Sequence, residues 1–111
     1  MLHSTKKMER AMKFIYEPAL QEYMRQKRKN TVAVEVVTSN NSDFEVTELH
    51  VHLVDEKRAA FFIEKKHFRE HTTEYGSVLL PPYRLEYDET VTFGLKKFLF
   101  VRYVTWDGIY L

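Results

Sequence analysis

Residues 13–38 read KFIYEPALQEYMRQKRKNTVAVEVVT, and this stretch decides the fold class. Lys13–Tyr16 is short, half aromatic and fit for a strand. Glu17-Pro18 then opens a helix, because proline at the first helical position gives up an N–H that has no partner there anyway. Ala19, Leu20, Tyr23 and Met24 recur at helical spacing and predict one buried stripe. Arg25, Lys27, Arg28 and Lys29 gather where cations favour a helix C-terminus, and Asn30 is the expected C-cap. Residues 31–38 (TVAVEVVT) are β-branched, with Val32, Val34 and Val36 predicted on one face.

Working outward, residues 39–43 (SNNSD) read as a polar turn. Residues 44–54 (FEVTELHVHLV) read as a second strand, with Thr47, Leu49, Val51 and Leu53 opposing Glu48, His50 and His52. Residues 55–58 (DEKR) read as a polar connection, 59–63 (AAFFI) as a short buried strand and 64–71 (EKKHFREH) as one or two helical turns. Beyond the break at Pro81-Pro82, Leu85, Tyr87, Val91 and Phe93 alternate against Glu86, Asp88, Thr90 and Thr92. Residues 96–105 (KKFLFVRYVT) are apolar on both faces in their middle and read as one long central strand. Trp106-Asp107-Gly108 follows as a hairpin-type turn into residues 109–111. The expected fold is α+β, a mixed or antiparallel β-sandwich-like sheet with an N-terminal helix and a short second helix. The expected organisation is a polar leader over residues 1–11, disordered, and a single domain over 12–111.

The 111 residues suffice for one core, and eight Phe, seven Tyr and one Trp supply material for it. Lys and Arg (17) nearly balance Asp and Glu (16), so the net charge of +1 gives no bulk pull toward nucleic acid or membrane, and such a partner would need a local patch. No cysteine is present, which removes disulfides, thiolate nucleophiles and cysteine-held metals or clusters. Residues 1–11 carry no apolar h-region and no run is long enough to span a bilayer, so a cytoplasmic protein without a membrane partner is expected.

Four constellations carry possible chemistry. His67, Glu70 and His71 spell H-x-x-E-H, which on a helix puts two imidazoles within reach of one metal; a solvated helical face with Phe68 turned inward is the plainer alternative. His50 and His52 share a strand face and, joined to the first set, give a candidate metal group of His50, His52, His67, Glu70 and His71. Residues 25–29 place four cations in five positions, a candidate phosphate-binding patch or a solvated helix end. Glu86, Asp88 and Glu89 cluster around Tyr87, more suited to solubilising a strand face than to acid–base work. No glycine-rich phosphate loop or nucleophile elbow occurs.

The stretches KFIYEPALQEYM, VAVEVVTSNNSDFEVTELHVHLV, FFIEKKHF and LEYDETVTF together resemble the HesB-like, or A-type iron–sulfur carrier, family over roughly residues 12–100. The resemblance implies a strand, an early helix, two strands around a short loop, and a later aromatic-rich segment. That family binds its cluster through one cysteine in the loop and a Cys-x-Cys pair near the C-terminus. Here those positions fall near Asn40, Asn41 or Asp43 and around residues 105–108, and none is cysteine. The resemblance therefore implies the scaffold without the cluster. The expected function is a non-enzymatic binding or accessory module with no cofactor, acting on a protein partner or a second copy. The paired aromatics of residues 96–105 with Trp106, Tyr110 and Leu111 would form a sticky interface or else be core. The alternatives are a His/carboxylate metal protein and nucleic-acid binding through residues 25–29.

Overall fold

The structure, a computed structural model, describes residues 12–40 and 42–111; the leader expected over residues 1–11 lies outside them. The elements are β1 (Lys13–Tyr16), α1 (Pro18–Lys27), β2 (Thr31–Asn40), β3 (Glu45–Val54), α2 (Glu56–Lys66), β4 (Arg69–Thr73), β5 (Gly76–Leu80), β6 (Glu86–Phe98) and β7 (Val101–Tyr110). They form two mixed sheets. In one, the order is β1-β6-β7, with β1 parallel to β6 and β7 antiparallel to it. In the other, the order is β3-β2-β5-β4, with β2 parallel to β5 and the outer pairs antiparallel. The architecture is α+β, as residues 13–38 imply.

Alternation along the strands builds the main core. Val32 and Val34 of β2, Val51 of β3, and Val78 and Leu80 of β5 meet Tyr16 of β1 and Val91 and Phe93 of β6. Val104 and Ile109 of β7 complete this layer. Leu20 and Met24 of α1 are buried in the same core, whereas Tyr23 is half-buried and Ala19 exposed, so the helical stripe is narrower than its spacing suggests. Strand residues of opposite parity face the other way. Ala33, Val54 and Leu79 form a second, smaller core with Phe62 of α2 and Phe68.

The second core explains the largest departure from the sequence reading. Residues 59–63 are not a strand but the middle of α2. Asp55 caps that helix, its carboxylate accepting a hydrogen bond from the Arg58 N–H at 2.8 Å. Ala59, Phe62 and Ile63, at i, i+3 and i+4, face the sheet, while Phe61 points to solvent. A short apolar run fits strand and helix equally until a cap and a partner surface choose between them. Of residues 64–71 only the first three are helical: α2 stops at Lys66, His67 adopts the left-handed conformation (φ 58°), and β4 begins at Arg69. The expected C-cap at Asn30 is also displaced, since Arg28 takes the left-handed position (φ 56°) and the Lys29 N–H bonds the Met24 carbonyl at 3.1 Å. Asn30 instead accepts the Ser77 N–H at 2.9 Å, tying the start of β2 to β5.

Three further expectations change, the last two near the C-terminus. Ser39 and Asn40, the first of them expected to open the polar turn, are the last two residues of β2. Residues 96–105 are two strands of a hairpin, reversing at Leu99-Phe100. Asp107-Gly108, expected as the turn, lies inside β7 at a bulge where the register slips between Tyr87 and Thr92 of β6. Gly108 has φ 95°, and a Cβ there would sit 2.6 Å from the Thr90 carbonyl oxygen, so glycine marks a crowded bulge instead of a reversal.

Candidate functional site

The five expected metal ligands do not form a set. His67 caps α2, whereas Glu70 and His71 are neighbours in β4 and so point to opposite faces. The i, i+4 geometry that made H-x-x-E-H a ligand motif is therefore absent. Glu70 accepts a hydrogen bond from the Ser77 hydroxyl at 2.8 Å, and the His71 ring lies 6.0 Å from that of Phe14. His50 and His52 do share a face of β3. His52 Nε2 lies 2.5 Å from Glu35 Oε2 and its ring meets the edge of Phe62, while His50 Nε2 is 3.9 Å from Glu48. Among the described residues, no three His, Asp or Glu side chains are grouped to hold a metal ion. The His52–Glu35 pair joins β3 to β2 at the rim of the second core.

The carboxylates of β6 likewise stand on an exposed strand face. Asp88 accepts a hydrogen bond from the Tyr110 hydroxyl at 2.9 Å, which raises the pKa of that phenol by favouring its protonated form. A cleft of about 940 Å³ opens between α1 and the start of α2, bordered by Glu22, Arg25, Arg28, Lys29, Asp55 and Lys57. Its charges are mixed, and Arg25 is already paired with Glu22.

The surface that departs from ordinary solubility is the end of the β6–β7 hairpin. Phe98, Leu99, Phe100 and Val101 are 67%, 72%, 96% and 63% exposed and consecutive. Isolated apolar side chains at a surface need no explanation, but a contiguous group marks a binding region. The turn is also conformationally unfavourable. Leu99 has φ 57°, a region that costs an L-residue roughly 1–2 kcal/mol and that turns usually assign to Gly or Asn.

Directly behind this apolar tip lie cations. Lys97 and Arg102 face each other across the ladder, as do Lys96 and Tyr103, and residues 93–106 contain no Asp or Glu. Like charges in register destabilise a hairpin, so the pair is not there to hold the strands together. The Arg102 guanidinium lies 5.8 Å from the Tyr23 ring centroid, and Lys27 Nζ lies 5.6 Å from the same ring. Tyr23 thus joins the cationic end of α1 to the hairpin, and the two basic segments make one surface. Residues 96–105, expected as one central strand, instead form a hairpin end that exposes Phe98–Val101. The signal for exposure was the flanking Lys96-Lys97 and Arg102, which a buried strand would not carry unpaired. Trp106 and Tyr110 of β7, and Leu111 just after it, are partly exposed, outside the tip.

Among the described residues, no helix is long and apolar enough to cross a membrane. No family model, no curated protein and no solved structure matches this chain.

Proposed function

We propose that this protein is a non-enzymatic binding module whose working surface is the end of the β6–β7 hairpin. The observation that carries this reading is the run Phe98-Leu99-Phe100-Val101, solvent-exposed and turning through Leu99 at φ 57°. The kinship with A-type carriers belongs to the same proposal. It is supported by the order β1-α1-β2-β3 and by the YDETVTF segment within β6. Lacking thiolates, such a scaffold acts through its surface.

The test is a photo-crosslinking residue placed at Phe100 and, separately, at the exposed Glu74 of the β4–β5 turn, each expressed in cells. Adducts are expected at position 100 and not at 74. Equal labelling at the two sites, or none at 100, would show that the hairpin end is not a working surface.

A further inference from the structure

We infer that the hairpin end docks on an anionic lipid bilayer, with the apolar tip entering the interface and the cations behind it meeting the headgroups. This inference rests on the hairpin end being the working surface and names its partner.

Three observations favour a bilayer. The first is depth. One residue on each strand, Phe98 and Val101, and the two turn residues Leu99 and Phe100 make up the apolar tip, and at about 3.3 Å of rise per residue step it reaches roughly 7 Å beyond Lys97 and Arg102. Interfacial elements bury about 5–10 Å into the boundary between headgroups and acyl chains. The second is charge placement. Lys96, Lys97 and Arg102 form a collar immediately behind the tip, Lys27 extends it across Tyr23, and no acid lies within residues 93–106. Basic residues there gain about 1 kcal/mol each from an anionic leaflet, whereas a neutral apolar protein groove would leave the collar unmatched. The third is area. Two phenylalanines, a leucine and a valine offer on the order of 500 Å², below the roughly 800 Å² per partner that a stable protein–protein interface buries. A bilayer has no such threshold, because each apolar group entering the interface contributes separately.

A nucleic acid would use the same cations but has no use for Leu99 and Val101, and phenylalanines stacking on bases are splayed along a sheet rather than gathered at a turn. The contact is peripheral: the tip lies in the interface and the sheets remain in water.

The experiment is co-sedimentation of the full chain with vesicles of phosphatidylcholine alone and of phosphatidylcholine with phosphatidylserine, at low and high salt. The wild type should partition at least tenfold more strongly onto the anionic vesicles, and salt should weaken that binding. The double variant Phe98→Ser/Phe100→Ser should lose tenfold or more, while Phe98→Leu/Phe100→Leu should retain most of it. Lys97→Gln/Arg102→Gln should lose roughly tenfold or more on anionic vesicles and little on neutral ones. All these positions are exposed, and unchanged circular dichroism verifies that the variants fold. No retention, or retention equal in the wild type and the serine variant, overturns the inference. Light scattering without lipid and retention on an RNA homopolymer then separate the failures. Self-association or RNA binding abolished by the same variants would overturn the bilayer while keeping the hairpin end as the working surface. Indifference to those variants in every assay would overturn both.

Discussion

Replacing Leu99 by glycine should make the protein more stable while weakening its hairpin end. Leu99 sits at φ 57°, where contact between Cβ and the following carbonyl costs an L-residue about 1–2 kcal/mol. Glycine removes that term and adds back the greater backbone freedom of the unfolded chain, about 0.5–1 kcal/mol. Little burial is lost, because the leucine side chain is largely in solvent. The net expectation is a gain of about 0.5–1 kcal/mol. With a urea m-value on the order of 1.5 kcal/mol/M, the unfolding midpoint should rise by roughly 0.3–0.7 M at unchanged slope. Leu99→Ala keeps Cβ and the strained φ, so it should leave the midpoint where it is. Equilibrium urea unfolding followed by circular dichroism and by Trp106 fluorescence measures all three proteins. A midpoint that falls in Leu99→Gly, or rises equally in Leu99→Ala, would show that the turn carries no strain and would remove one argument for its function. The same glycine variant should bind anionic vesicles less tightly, a trade of stability against activity in one residue.

Phe62 is fully buried between α2 and the second sheet, with the Phe68 ring 4.8 Å away. Phe62→Ala should cost about 3–5 kcal/mol, and hydrogen exchange should show α2 losing protection before the two sheets do; uniform loss would mean the second core is not a separate unit. Gly76 has φ 143°, and an added Cβ would sit 1.8 Å from the Asn30 carbonyl oxygen. Gly76→Ala should therefore destabilise by at least about 2–3 kcal/mol through backbone displacement at the β2–β5 junction, and a neutral result in thermal unfolding would contradict that contact. Burial raises the pKa of Tyr16, while a hydrogen bond from Thr73 lowers it in part. A folded pKa above the unfolded one contributes stability below pH 10 that is lost as pH rises through the folded value. Alkaline difference spectroscopy should show Tyr16 and Tyr110 among the late-titrating phenols of the wild type and one late phenol fewer in Tyr16→Phe; identical curves would refute the assignment.

How far the residues alone could be read depended on how local each signal was. Pro18, the spacing of Leu20 and Met24, and the alternation of Val32, Val34 and Val36 are short-range facts, and β1, α1 and β2 form as they imply. The absence of thiolate chemistry needs only the composition. Residues 59–63 and 96–105 behave differently. Both are unbroken apolar runs, and such a run states that something is hydrophobic without saying what covers it. Asp55 and the empty face of β2, β3 and β5 make the first a helix lid; for the second, the β6–β7 register beyond Leu95 and Val104 carries the aromatics past the end of the core into water. The metal motif failed for a related reason: its meaning required a helix at residues 67–71, and the left-handed turn at His67 ends the helix first. Pattern depends on neighbours a few residues away, and could be read from the chain. Burial depends on partners tens of residues away, and was settled only when the two sheets packed.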